Sequence, residues 1–291
     1  MSSLQRWTVF DVISWSAGYF KDKGSSTPRL DAELLLGHVL DCDRVHLYMN
    51  PDKPLLEEEL AQFKALALRR VRGASVAHLT GRKEFWKTDF EVPDGVFVPR
   101  PETEFMVEFL LDRLDAGTPL LGADLCCGTG AVGLTMALER EADHLILVDL
   151  SQAAVDAASR NGARLELAPR IRLERDDAVS FVQGWKGVRG FDYITCNPPY
   201  VPSGEWDSLA PEIRLHEPPE AIISGEDGLE LLKRLIREVP RVLVSGGWFV
   251  VEYSGEEQTA KLRSLLEDSG FLDVTMHRDL AGLDRIMTCH T

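Results

Sequence analysis

From Ala123 to the C-terminus the chain alternates short β-rich runs with helical ones, and the alternation fails only at its end. ADLCC, HLILVDL, IRLER, FDYITC and WFVVEYS are the β-rich runs, and most lead into a helical stretch such as AVGLTMALERE or SQAAVDAASRN. That order builds a doubly wound parallel sheet. DVTMHRDL and DRIMTCH, by contrast, are joined by little more than Ala281-Gly282-Leu283. Parallel neighbours need a long crossover, so the tight connection predicts an antiparallel last strand. Among Rossmann-like sheets such an ending marks the methyltransferase variant rather than the dehydrogenase one.

The first part of the chain has a different texture. Leu30, Leu34, Leu35, Val39 and Leu40 recur at helical spacing in PRLDAELLLGHVL, with Pro28 opening and Asp41 closing the run. LLEEELAQFKALALRRV forms a second helical stretch after Pro54. At Glu84 β-rich runs begin: FWKTDFEV and GVFV, separated by the turn sequence Pro93-Asp94-Gly95, suggest a hairpin. Pro99 and Pro101 then bracket Arg100, and a helix is expected from near Glu102. The predicted organisation is a helical domain (1–83), a β-hairpin linker (84–98) and an α/β domain (99–291).

With 291 residues, 44% of them hydrophobic, the chain can bury a sizeable core, which excludes a disordered protein. No apolar run is long enough to span a bilayer, and MSSLQRWTVFDVISW is amphipathic without the apolar region or cleavage site of a signal peptide. The five cysteines form no CxxC pair and read as free thiols of a cytoplasmic protein. The seven histidines are scattered, so no metal site is expected. Charge is segregated. Residues 1–90 carry 13 Lys and Arg against 12 Asp and Glu, leaving 19 against 35 of the totals of 32 and 47 for residues 91–291. An acidic domain repels phosphate backbones and favours basic protein surfaces or cationic small molecules, so direct DNA binding is not expected.

Asp124-Leu125-Cys126-Cys127-Gly128-Thr129-Gly130 ends the first strand of the alternating region and turns into a helix. Glycines there permit a tight turn and close approach of a ligand to the backbone. Gly128 to Gly133 also spells GxGxxG, and Asp149, at the end of the next strand, can hold ribose hydroxyls through both carboxylate oxygens. Asp177, after the third strand, can meet an adenine. An adenosine is common to NAD and S-adenosylmethionine, so these residues do not choose between them. Cys126 and Cys127 read as small residues at a strand end rather than as a redox pair.

Asn197-Pro198-Pro199-Tyr200 makes the choice. It follows the fourth strand, FDYITC, at the carboxyl edge where such sheets bind ligands. A planar NH2 group is a poor nucleophile because its lone pair is delocalised, but it offers two donors. The Asn197 side-chain oxygen can accept one hydrogen and the Pro198 carbonyl the other, with proline fixing that carbonyl's direction. Tyr200 can pack on the planar group. Positioning and oriented dipoles then supply the catalysis, without a strong base. A dehydrogenase has no use for this tetrapeptide. With the glycine loop and Asp149 upstream, the arrangement describes methylation of an amide or arylamine nitrogen.

Along almost its whole length the sequence resembles the HemK/PrmC family, the protein-(glutamine-N5) methyltransferases that modify the Gly-Gly-Gln glutamine of class-1 peptide release factors. The matching segments are LDAELLLGHVL, LTGRKEFW, VFVPRPETE, DLCCGTGAVGL, LVDLS, NPPYVPSGEWDSLAPEIRLHEPPEAI and DLAGLDRIM, in the family's order. NPPY is shared with adenine-N6 DNA methyltransferases; VPRPETE and the helical leader are more specific.

The resemblance implies a methyl transfer from S-adenosylmethionine, leaving S-adenosylhomocysteine, to a release-factor glutamine, with residues 1–83 as the substrate-recognition domain and 99–291 as the catalytic domain; a monomer is expected. It places Cys126, Cys127, Gly128, Thr129 and Gly130 around the methionine and ribose, Asp149 on the ribose, and Asp177 with Ala178 beside the adenine. Asn197, Pro198, Pro199 and Tyr200 would hold the glutamine amide, with Asn197 also near the cofactor and Arg100 and Glu102 shaping the pocket. Glu217-Pro218 falls in the family's substrate-side loop and receives no role. Two residues depart from the family pattern: Cys126 stands where glycine is usual, and His78 where tyrosine is common. A glutamine methyltransferase for a ribosomal protein and an adenine-N6 methyltransferase are the alternatives; DLAGLDR favours the release-factor group over the first, and the acidic domain counts against the second.

Overall fold

The computed structural model describes residues 6–291, so the first five residues of the amphipathic N-terminal stretch lie outside the described residues. The chain divides into two compact units: one runs up to Gly81 and also takes in Ala210–His216, and the other comprises Arg82–Leu209 and Glu217–Thr291. No helix among the described residues is long and apolar enough to cross a membrane.

In the first unit, helices span Val9–Asp22, Pro28–Leu40, Arg44–Met49, Glu57–Arg70 and Val76–Thr80. Thr8 and Asp11 form a capping box at the first, satisfying two backbone N–H groups that helix geometry leaves orphaned. Pro28 opens the second helix and Asp41 closes it in a left-handed conformation, as its sequence suggests. The buried face is Ala32, Leu35 and Leu36, however, while Leu30 and Leu34 are exposed. This helix also buries Asp31 and Glu33, so its polar residues are internal ties rather than a solvated face. Arg29, Arg44 and Tyr48 all donate to Glu33, and Arg70 bridges Asp31 and Glu212, each at 2.8 Å. The downstream segment is packed in as well: a Cβ on Gly73 would lie 3.1 Å from Leu215 and 3.3 Å from Pro211. Buried His78 bonds Ser75 through Nδ1 at 3.0 Å.

The second unit opens with a two-stranded antiparallel sheet, β1 (Arg82–Phe85) and β2 (Thr88–Glu91). The hairpin turns at Trp86-Lys87, not at Pro93-Asp94-Gly95. Trp86 adopts a φ of 58°, and its backbone N–H and indole N–H donate to Glu104 and Glu139, each at 2.7 Å. Tertiary hydrogen bonds thus hold a turn whose sequence carries no turn signal. Next come a short 3-10 turn, Pro101–Thr103, and the helix Glu104–Arg113.

The main sheet contains β3 (Leu121–Leu125), β4 (His144–Asp149), β5 (Ile171–Arg175), β6 (Phe191–Cys196), β7 (Leu243–Glu252), β8 (Leu272–Arg278) and β9 (Asp284–His290) in the order β5-β4-β3-β6-β7-β9-β8. The first five are parallel, and β9 runs antiparallel to both β7 and β8. This is a Rossmann-like sheet with an antiparallel last strand, and in the chain it follows the five helices and the hairpin.

Alternation along the strands sorts side chains into two cores, because successive residues face opposite sides. Ile146, Val148, Ile194, Cys196, Phe249, Val251, Met287 and Cys289 join the core beneath the helices Ala178–Gly184, Glu230–Leu235 and Gly255–Asp268. Leu145, Leu147, Tyr193, Val250 and Ile286 join the other, beneath Glu104–Arg113, Ala131–Glu139 and Gln152–Arg164. β3 and β6, between which the chain order reverses, lie at the centre of the sheet, and their carboxyl ends form the crevice where ligands bind in such folds.

Candidate functional site

The site is built by register. Leu125 pairs with Cys196, and Cys196 with Val251. The residues that follow each, Cys126, Asn197 and Glu252, therefore leave three adjacent strands at one level. They bring the glycine loop, NPPY and an acid from β7 to the same edge.

Cys126, Gly128 and Gly130 take φ values of 58°, 56° and 80°, so the loop coils tightly before the helix at Ala131. Gly130 is required twice over, since a Cβ there would meet Leu134 at 2.9 Å and Ala158 at 3.2 Å. A Cβ on Gly128 would meet nothing within 4 Å, so the loop faces open space at that point. Cys126 is the residue that fits least well. Left-handed backbone costs a residue with a Cβ roughly 1–2 kcal/mol, which explains why glycine suits this position.

Acids hold the loop from beneath. Asp149 accepts from the Gly128 N–H at 2.8 Å through Oδ2 and from the Ser151 N–H at 2.9 Å through Oδ1. Each oxygen retains acceptor capacity. Burial raises the Asp149 pKa, against the pull of those backbone hydrogen bonds. Fully buried Asp124 accepts from Thr195 Oγ1 at 2.7 Å and the Gly133 N–H at 3.0 Å, and burial pushes its pKa up to about 7. Cys127 is buried and its thiol pKa is pushed well up by burial, as befits a packing residue.

Asp177 lies next to this edge, because the Asp176 N–H donates to the Asp149 carbonyl at 3.1 Å. It caps the helix Ala178–Gly184 by accepting from the Ser180 N–H at 2.9 Å, and Ala178 is buried. One Asp177 oxygen is thus already used for local structure.

In NPPY, Asn197 Nδ2 donates to Thr103 Oγ1 at 3.2 Å, and Thr103 Oγ1 donates to Glu252 Oε2 at 2.6 Å. The Tyr200 hydroxyl donates to Glu252 Oε1 at 3.1 Å. Among the described residues no donor reaches Asn197 Oδ1 or the Pro198 carbonyl. Pro198 is buried, and Pro199 and Tyr200 are partly so. Gln258 fixes the Tyr200 carbonyl at 2.8 Å, and any Cβ on Gly228 would lie 2.0 Å from that carbonyl. Burial, with Glu252 second, raises the Tyr200 pKa and keeps the phenol protonated.

Thr103, Glu252 and Gln258 do not stand out from sequence motifs alone. Thr103 lies inside the conspicuous PRPETE segment. Glu252 carries the one legible signal, an acid ending an otherwise apolar strand run, WFVVEYS. In the same segment Arg100 donates to buried Glu217 Oε1 at 2.5 Å and stacks 4.8 Å above Phe97, whereas Glu102 is exposed. Glu217 Oε2 is buried without a partner. Arg285 of DLAGLDR pairs with Asp279 at 3.2 Å, and its charge acts on both Tyr200 and Glu252.

Residues 11–81 match the family model described as the PrmC N-terminal domain, and residues 88–215 match the methyltransferase small domain. The catalytic domain of hMettl16, solved with the MAT2A 3'UTR hairpin 6, shares the fold at a TM-score of 0.54 with 15% identity, over 80% of this chain and 82% of that one. The release factor glutamine methyltransferase of Rhodopirellula baltica is 35% identical over 287 residues, covering 97% of this chain and 96% of that protein. The protein of the same name from Xylella fastidiosa (strain 9a5c) is 40% identical over 258 residues, covering 89% and 91%. Similarity of this degree along nearly the whole chain makes this protein a member of the release factor glutamine methyltransferase family.

Proposed function

We propose that the protein methylates the side-chain amide nitrogen of the Gly-Gly-Gln glutamine in class-1 release factors, with S-adenosylmethionine as donor. The observation that carries this reading is the Asn197 amide, whose nitrogen is committed to Thr103 while its oxygen is left as an acceptor at the edge occupied by the glycine loop.

The residues present fit the methyl donor. The loop opens onto free space at Gly128, Asp149 keeps acceptor capacity for ribose hydroxyls, and Asp177 and Ala178, for the adenine, follow Asp176, whose N–H donates to the Asp149 carbonyl. Cys126, Cys127, Thr129 and Gly130 complete the cradle. When bound, the donor would supply an electrophilic methyl carbon: the nitrogen–carbon bond would form as the sulfonium–carbon bond breaks, leaving the thioether, and the amide proton would pass to water. Asn197 Oδ1 and the Pro198 carbonyl accept the two amide hydrogens and orient the nitrogen, with Pro199 and Tyr200 walling the site. These acceptors favour the more tetrahedral nitrogen of the transition state, and Tyr200, held by Glu252, stays neutral beside it.

The test is transfer of labelled methyl from S-adenosylmethionine to a purified release factor, beside the same factor with its Gly-Gly-Gln glutamine changed to alanine. Label on the first alone supports the reading. Label on neither, with donor binding intact, overturns it and turns the search to ribosomal proteins and nucleic acid.

A further inference from the structure

Glu252 is buried, 149 positions from Thr103 in sequence, and does not touch Asn197, yet it sits at the end of the hydrogen-bond chain that begins there. The chain has a direction. When ionised, Glu252 only accepts, and the hydroxyls of Thr103 and Tyr200 then both donate to it. Thr103 has a single hydroxyl proton. With that proton given to Glu252, its oxygen can only accept from Asn197, which must then present its NH2 to Thr103 and its Oδ1 to the ligand. Reversing the first bond reverses all of them. A neutral acid or amide at 252 can donate to Thr103, Thr103 can donate to Asn197 Oδ1, and the asparagine amide then turns its NH2 to the site.

We propose that Glu252, acting through Thr103, is a positioning residue that fixes the amide orientation of Asn197 and so selects a ligand group that donates hydrogens. The inference rests on the function proposed above. It makes the site accept a carboxamide and reject the carboxylate of the same shape, because a glutamate side chain would face Asn197 Oδ1 and the Pro198 carbonyl with no hydrogen to offer. The groups acting on Glu252 come from each element around it. Thr103 and Tyr200 donate to it, and Arg285, beside its register partner Ile286 on β9, stabilises its charge. Glu102 opposes that charge, as does burial, which is the largest influence and raises the Glu252 pKa. The chain of hydrogen bonds is therefore open to reversal in acid.

The test compares binding of a release factor carrying its native Gly-Gly-Gln glutamine with binding of the same factor carrying glutamate there, alongside methyl transfer. Wild type is expected to favour glutamine at least about ten-fold, the size of one hydrogen bond to a charged group. Glu252→Gln and Thr103→Val should bring that ratio towards one, and Thr103→Ser, which keeps the hydroxyl, should restore it. S-adenosylmethionine affinity should stay within about two-fold in all three, since the hydrogen bond lost is not to the donor. An active wild type whose preference for glutamine is unchanged in Glu252→Gln overturns the inference alone. A wild type that methylates no release factor overturns the functional reading and the inference together. If Glu252→Gln does not fold, the Thr103→Val and Thr103→Ser pair decides by the same ratio.

Discussion

Asn161 and Thr129 are joined by a 3.0 Å hydrogen bond from the asparagine Nδ2 to the loop carbonyl. The same Asn161 amide pairs with the backbone of Glu91, accepting from its N–H at 2.8 Å and donating to its carbonyl at 3.2 Å. One buried side chain thus fastens the glycine loop to the hairpin that precedes the sheet. Removing it orphans three backbone groups. Asn161→Ala should cost about 1–3 kcal/mol in a denaturant titration, and should weaken S-adenosylmethionine binding by calorimetry because Thr129 is no longer held.

Cys126 offers a gain in stability. Its φ of 58° is one that glycine adopts without strain. Cys126→Gly removes that cost and adds unfolded-state entropy, so the net change should be a stabilisation of about 1 kcal/mol or less. Unfolding midpoints of the two proteins check this. A clear loss of stability would show that the thiol's contact with Cys196 outweighs the backbone strain.

Asn197→Ala removes the oriented acceptor while leaving Asp149 and the loop in place. Turnover should fall by about 100-fold or more, the scale of deleting one preorganised hydrogen-bonding group at a reacting centre, with donor affinity largely intact. Single-turnover transfer and equilibrium binding separate the two effects.

Asp124 gives stability a pH dependence. The folded group keeps its proton up to about 7, whereas an unfolded aspartate releases it near 3.8. Between those values the folded state binds more protons, so this contribution is complete below 3.8 and is lost as pH rises through about 7. Denaturant midpoints from pH 5 to 8 should show a decline in wild type that Asp124→Asn, which cannot titrate, lacks.

The architecture is legible in sequence where local chemistry decides it. The brevity of the connection around Ala281-Gly282-Leu283 is enough to make β9 antiparallel, and the strand FDYITC is enough to put the tetrapeptide that follows it at the carboxyl edge of the sheet. Local signals mislead where distant contacts win. Pro93-Asp94-Gly95 has the stronger turn composition, but Glu104 and Glu139 fix the hairpin at Trp86. Leu30 and Leu34 share a helical period with Leu35, yet the helix buries Asp31 and Glu33 among their cationic partners instead. The Thr103–Glu252 bond is illegible for the same reason: its partners lie 149 positions apart, one in the turn Pro101–Thr103 and the other at the end of β7.

The seven residues Ala210–His216 fold with the helices that precede Gly81, so the helical unit is discontinuous in the chain. Its boundaries are crossed at three places rather than one. A gene cut at Gly81 would not release a self-sufficient module, because Arg70 would lose Glu212 and Gly73 its neighbours Pro211 and Leu215. Nor would it leave an intact partner, since the segment following NPPYV would be left without the core that folds it. Exchanging the whole helical unit for a relative's would therefore take three coordinated crossovers, so its two segments and the sheet between them are inherited most simply as one piece.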